Sequence, residues 1–454
     1  WLSACARHFG RGSSLRAYLH KNMKNMTTFQ IVLTGIFAGA VLVALVVFAT
    51  FKGSSSKGLM AITLWGTLPA GDFAQVVSTV NQVLPQRLAI NYVEKKEKDF
   101  DRELTEALAS GVGPDAVLLP HTSLFRQQGR ILPIPEASLP LRTFRDTFSD
   151  QARLYEMSGG VWALPFVSDP LVMYWNKDIF NTAGLANPPK HWDEFLTLAP
   201  QLTKKDAAGN ITQSAVPFGE VVNISNAKDT LSALLLQAGT PITKIDQNGA
   251  FSSTLSDRPK GVSDIPAVSV VAFYTQFSNP SKTTFTWNRA IGDAQNFFLA
   301  GNLATYFAFA SENETLLRKN PNLNFDITAL PQPRDVKVPM VYGKLYGLAL
   351  MKAGKDPVGA FQVLSILADQ TFVSTFAQQT GFAPSRRDLL ATAPADPALA
   401  VSYRSSLIAR SWIDPEPVAT GAIFKRMIES VTSGKYRPSE AVSAASQELQ
   451  ALLR

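Results

Sequence analysis

The sequence predicts an α/β fold of two or more lobes, preceded by one transmembrane helix. Three observations carry this: an uncharged run of 23 residues from Phe29 to Phe51, a strand–helix–strand–helix–strand pattern from Met60 to Pro120, and a length of 454 residues, more than one hydrophobic core organises.

The N-terminal segment comes first. Arg7, Arg11, Arg16, Lys21, Lys24, Lys52 and Lys57 are the only charged residues among the first 57, and they account for the whole net charge of +7. The remaining chain holds 36 basic and 36 acidic side chains, so its charge points to no nucleic-acid partner. At about 1.5 Å per residue, Phe29–Phe51 spans a hydrocarbon core of roughly 30 Å. Five basic residues precede it and two follow closely. That bias makes 1–28 a basic cytoplasmic leader, 29–51 a membrane anchor and 52–58 a flexible linker, with the body extracytoplasmic. The alternative is a cleaved signal peptide with Val47 and Ala49 before the cut. Signal h-regions run to about 7–15 residues, and this longer run favours an uncleaved anchor. Cys5 is the sole cysteine, so the exported body has no thiol for a disulfide, an iron–sulfur cluster or a thiolate metal site.

In the body, MAITLWGT (Met60–Thr67) reads as an apolar strand ending in a turn. A helix follows, with Phe73, Val76, Val77, Val80 and Val83 on one face. LAINYVEK gives a second strand, the segment around Asp101 to Ser110 an amphipathic helix, and GPDAVLLP a third strand. This alternation layers helices on a largely parallel sheet, whose ligands bind beyond the C-terminal ends of strands where strand order switches. Trp65-Gly66-Thr67 and Pro120-His121-Thr122-Ser123 follow two such strands and are expected to line one cleft. Farther on, WALPFVSDPLVMYWNKDIF (Trp162–Phe180) interrupts an apolar run with Ser168-Asp169-Pro170. Acid and proline are poor sheet residues, so the chain is expected to leave one sheet there and enter another at LVMYW.

Enzyme signatures do not occur. GxxxxGK[ST], GxSxG, HExxH and EF-hand loops are missing, and Gly354-Lys355-Asp356 lacks the glycine spacing and hydroxyl of a phosphate cradle. His8 and His20 fall in the leader, which leaves His121 and His191 in the body, too few for a histidine-based metal or catalytic cluster. No catalytic residue, metal or cofactor is expected.

The segments Gly159-Gly160-Val161-Trp162-Ala163-Leu164-Pro165-Phe166, Tyr174-Trp175-Asn176-Lys177-Asp178-Ile179-Phe180, Ala183-Gly184-Leu185, Pro188-Pro189 and Trp192-Asp193-Glu194-Phe195 resemble, in order and spacing, the family 1 extracellular solute-binding proteins. These are the maltose-binding-protein-like receptors of ABC importers. The resemblance continues through Phe298–Ala304 and Gly343–Ala349, ends at Ser433-Gly434-Lys435, and covers nearly all of 60–454. It implies a two-lobed periplasmic-binding-protein-like fold with hinge crossings. Lobe 1 would comprise 60–169 and 335–385, and lobe 2 would comprise 171–328 and 400–454. The crossings would lie near Asp169, near Ala329–Pro333 and near Pro384–Pro397. The resemblance also implies a small-molecule solute, with permease and ATPase on other polypeptides because this chain has one membrane span and no P-loop. Two departures stand out. His191 replaces the family's usual Thr at a helix N-cap, and the anchor replaces the lipobox of Gram-positive members.

Position for position, Asp169 matches an acidic ligand contact of the maltose-binding relatives. An ionised carboxylate accepts two hydroxyl donors at once, although a cap or hinge hydrogen bond is the alternative role. Ser311 and Glu312 follow the strand LATYFAFA, where the family places cleft contacts. Tyr342, Lys344 and Tyr346 fall on a turn into the second crossing, and His121 and Ser123 complete the set. Trp65 and Trp412 are expected in cleft loops, as stacking platforms for pyranose rings, while Trp162, Trp175 and Trp192 are expected in the core. A neutral body with aromatic rings near the cleft favours a sugar as the solute. Two other functions compete: a glycoside hydrolase using Asp169 and Glu312 as paired carboxylates, and a surface protein that kept the fold without a ligand.

Overall fold

The computed structural model describes residues 60–246 and 249–453. The expected leader, the expected anchor Phe29–Phe51 and the expected linker lie outside the described residues. Among the described residues no helix is long and apolar enough to cross a membrane.

The first elements appear in the expected order: β1 (Met60–Gly66), α1 (Ala70–Val83), β2 (Leu88–Glu94), α2 (Phe100–Ala109) and β3 (Ala116–Pro120). Phe73, Val76 and Val80 bury the inner face of α1, whereas Val83, at its last turn, is 58% exposed. The chain continues through β4 (Leu164–Asn176), α3 (Lys177–Thr182), α4 (Ala227–Gln237), β5 (Thr305–Phe309), β6 (Phe325–Ala329) and β7 (Val341–Met351). It ends with α5 (Pro357–Leu367), β8 (Ala383–Pro384), α6 (Pro397–Leu407), β9 (Ala409–Arg410), α7 (Pro417–Thr432) and α8 (Pro438–Leu452).

Local chemistry explains several of these boundaries. Asn176 stops β4 and starts α3, because its side-chain oxygen accepts from the amides of Asp178 and Ile179 at 3.0 and 3.1 Å. Three helices open on a carboxylate followed by proline. Asp356, Asp396 and Glu416 accept from the amides of Gly359, Leu399 and Ala419 at 2.9, 2.8 and 2.6 Å, and the proline at the first helical position has no N–H to leave unsatisfied.

The main sheet runs β5-β4-β7-β3-β1-β2. It corrects the expectation of a largely parallel sheet. β1 pairs in parallel with β2 and β3, but β7 is antiparallel to both β3 and β4, and β4 is antiparallel to β5 and β6. The cause is that β4 and β7 run between the lobes in opposite directions.

The expected sheet change at Ser168-Asp169-Pro170 is also corrected. β4 is one unbroken strand of 13 residues, and it changes neighbours rather than sheets. Leu164 to Pro170 pair with β7, and Leu171 to Trp175 pair with β5. Pro170 falls where the strand exchanges partners, which is where a missing N–H costs least.

Two main hydrophobic cores define the lobes. One gathers residues between Ile62 and Val167 with residues between Leu345 and Phe382. The other gathers residues between Leu171 and Tyr342 with residues between Ala409 and Leu449. A third cluster, with Trp287 wholly buried, extends the second lobe around Tyr174, Phe298 and Tyr306. Packing changes core within β4 and again within β7, between Tyr342 and Leu345; Leu330, in the stretch where the second crossing was expected, still packs in the second core.

Candidate functional site

The residues at the crossings form a buried polar junction. Gln151 donates to the Gly343 carbonyl at 2.9 Å and to Ser411 Oγ at 2.8 Å, and its own oxygen accepts from Ser168 Oγ at 2.7 Å. One amide thus ties β4, β7 and the strand-following loop at Ser411 together with all its polar atoms satisfied. Gly343 permits this approach, since a Cβ there would stand 3.1 Å from Gln151 Nε2 and 3.3 Å from the Asp169 carbonyl.

Asp169 lies one residue before the partner exchange and faces Lys344 across the strand pair. It is 3% exposed, and its carboxylate accepts from the Ser311 amide at 3.1 Å and from Ser311 Oγ at 2.6 Å. Burial pushes its pKa up to about 6, against the pull of the Ser311 hydrogen bonds and Lys344. Lys344 makes no ion pair among the described residues, and its ammonium rests 4.1 Å from the centroid of the Phe309 ring. Asp229, at the start of α4, is also raised by burial, with Lys344 and Lys228 opposing. Lys228 is held by the buried Asp414 and by Thr420 Oγ at 2.6 Å.

His121 reaches the same junction from the first lobe. The Leu345 amide donates to its Nδ1 at 3.2 Å, and its ring stands 6.1 Å from that of Tyr342. Burial, with Asp229 adding to it, drives the Tyr342 phenol well above the ordinary value. Tyr346 is half-buried and meets Phe382 edge-on at 5.5 Å.

The junction therefore brings together Asp169, Ser311, His121, Tyr342 and Tyr346 of the expected residues, and leaves four apart. Glu312 spends its carboxylate inside the second lobe, accepting from Asn226, Gln295 and Tyr306 at 3.1, 2.9 and 3.1 Å. That leaves little of it for the paired-carboxylate role. Ser123 is buried in the helical turn that His121 opens. Trp65 lies within β1 rather than in a loop, is 8% exposed, and has the Lys95 ammonium 4.0 Å from its ring centroid. Trp412 follows β9 in a loop as expected but is 2% exposed and packs in the second core. Its indole N–H donates to Ser232 Oγ at 3.1 Å. Tyr342 and Tyr346 sit in the middle of a strand of 11 residues, not on a turn. Trp192 and Trp287 are core residues, while Trp162 and Trp175 are half-buried.

Lys228, Asp229 and Asp414 were missed, because Lys228 and Asp414 are 186 residues apart and no local pattern links them. A bridge between the lobes was missed for the same reason. Arg126 contacts Asp101 of its own lobe at 2.6 Å and Glu416 of the other at 3.3 Å, beside the edge-on pair Phe125–Phe251 at 4.8 Å. Among the described residues no group of three or more His, Cys, Asp or Glu side chains could hold a metal ion.

The model of the bacterial extracellular solute-binding proteins matches residues 87–370, more than half of the chain. A putative binding protein of Brucella abortus is 22% identical over 314 residues, covering 66% of this chain and 69% of that protein. The sn-glycerol-3-phosphate-binding periplasmic protein UgpB of Salmonella typhimurium is 24% identical over 320 residues, covering 65% and 68%. In structure, the chain superposes on a cyclo/maltodextrin-binding protein complexed with maltotetraose with a TM-score of 0.70 at 16% identity, covering 88% of this chain and 98% of that one. For UgpB from Mycobacterium tuberculosis in complex with glycerophosphocholine the TM-score is 0.68 at 19% identity, covering 87% and 99%. With its two lobes, its double strand crossing and a family match over most of both, the chain belongs to the bacterial extracellular solute-binding proteins.

Proposed function

We propose that the protein is a receptor anchored by Phe29–Phe51 that closes its two extracytoplasmic lobes on a carbohydrate and delivers it to an ABC permease. The observation that carries this reading is the polar junction where β4 exchanges partners. Asp169, Asp229, Lys344 and Lys228 meet there with opposing charges, beside the hydroxyl of Ser311 and the half-buried ring of Tyr346. Such a balance suits an uncharged ligand with donor and acceptor edges and an apolar face. One solved protein of the same fold holds maltotetraose, which supports the class. A second reading has one observation in its favour: Lys344 is a cation without an ion-pair partner among the described residues, and relatives bind sn-glycerol 3-phosphate or glycerophosphocholine.

The test is calorimetry on the detergent-solubilised full chain against maltodextrins, sn-glycerol 3-phosphate and glycerophosphocholine. Saturable binding of a maltodextrin is expected, and a response to the phosphate esters alone would defeat the carbohydrate assignment. The anchor has its own test. Protease added to intact cells is expected to cut within residues 52–58 and release the body. Full protection, or a body already free in the medium, would count against tethering.

A further inference from the structure

We infer that His121 holds a fixed, uncharged hydrogen-bond donor, its Nε2–H, ready for an acceptor oxygen of the bound solute, and so helps to decide which solutes are taken. This deepens the solute-binding reading above and rests on it.

β3 leads directly into His121. Its five residues are all buried, it ends at Pro120, and His121 opens a short helical turn with 3% of its surface exposed. A backbone amide can only donate. The Leu345 N–H directed at Nδ1 at 3.2 Å therefore fixes Nδ1 as the acceptor and leaves the ring proton on Nε2. Burial, with the ammonium groups of Lys344 and Lys228, lowers the pKa to about 3, so the ring stays neutral and this tautomer persists at physiological pH.

Nε2 is itself buried and has no hydrogen-bond partner among the described residues. Buried donors are nearly always paired, so an orphan of this kind calls for a partner from outside the chain. Its surroundings say which kind. Lys344 and Lys228 create a field that favours an oxygen acceptor over a second donor. Leu345 packs in the first core and Tyr342 in the second, so the imidazole stands where the lobes meet, and a partner must enter between them.

The test uses two variants of the full chain in detergent, titrated with maltotetraose and, in a second arm, with sn-glycerol 3-phosphate. An asparagine oxygen can take the place of Nδ1 and accept from Leu345 but puts nothing at Nε2. A glutamine amide reaches the Nε2 position and abandons Nδ1. His121→Asn is expected to keep a near-native melting temperature and to bind about tenfold more weakly, the loss of roughly one hydrogen bond. His121→Gln is expected to melt lower yet bind within a few-fold of the parent. A purely structural His121 gives the same order of melting temperatures but leaves the affinity of His121→Asn at the parental value, and that result would overturn the inference. If the parent chain binds neither probe, the solute-binding reading fails and this inference falls with it.

Discussion

Replacing Trp412 by alanine is expected to lower the stability of the protein by about 3–5 kcal/mol, the range for truncating a large buried aromatic side chain. The indole is 2% exposed, meets Phe424 edge-on at 6.1 Å, and has the Lys228 ammonium 5.5 Å from its ring. Truncation would open a void in the second core next to an existing surface cavity of about 510 Å³, which Trp412 already lines with Ser411, Met340 and Leu236. It would also remove the donor to Ser232 Oγ. That loss is the smaller one, since Ser232 keeps its bond to the Lys228 carbonyl at 2.9 Å. Trp412→Phe is therefore expected to cost less than half as much, because most of the ring volume remains. Urea unfolding of the two variants separates the roles. Unchanged stability in Trp412→Ala together with lost solute affinity would return this ring to the binding site.

Trp412 illustrates where the sequence stops being readable. Its loop position is visible locally, but whether a loop tryptophan faces solvent depends on α4 and α7 packing over it, and no short-range pattern encodes that. The early β1–α1–β2–α2–β3 order was readable because it rests on periods of two and 3.6, and the start of α3 was readable because Asn176 is a local cap.

Tyr342, Lys344 and Tyr346 were expected on a turn, yet they lie inside β7 with Gly343 and Gly347, two glycines that make room for partners far away in sequence. A Cβ at Gly347 would come within 2.8 Å of Ala163 and of the Tyr155 ring. The bridge from Arg126 to Glu416 and the clasp of Lys228 by Asp414 were invisible for the same reason. Asp169 lay between these cases. Its oddity in an apolar run marked the right place, and the strand's change of neighbours supplied the cause.

That residue should also control the pH dependence. The carboxyl of Asp169 titrates near 3.8 when exposed in the unfolded chain and at about 6 in the folded protein, because burial outweighs the Ser311 hydrogen bonds and Lys344, with Glu312 adding to the rise. Between those values the folded state keeps a proton that the unfolded state has released. Stability from this group is thus fully present below about 3.8 and is lost as pH rises through about 6. The gap corresponds to roughly 3 kcal/mol. Asparagine carries no charge at any pH, so the stability of the parent minus that of Asp169→Asn is expected to fall by up to about 3 kcal/mol from pH 4 to pH 7. Urea unfolding across that range measures it directly. Binding should respond with the opposite sign. Solute hydroxyls that donate to the ionised carboxylate favour loss of its proton, so affinity is expected to rise through about pH 6 in the parent, with protons released into the buffer, and to stay level in the variant. A stability difference that stays constant with pH would mean that Ser311 and Lys344 keep Asp169 ionised throughout, and the proton release on binding would then vanish as well.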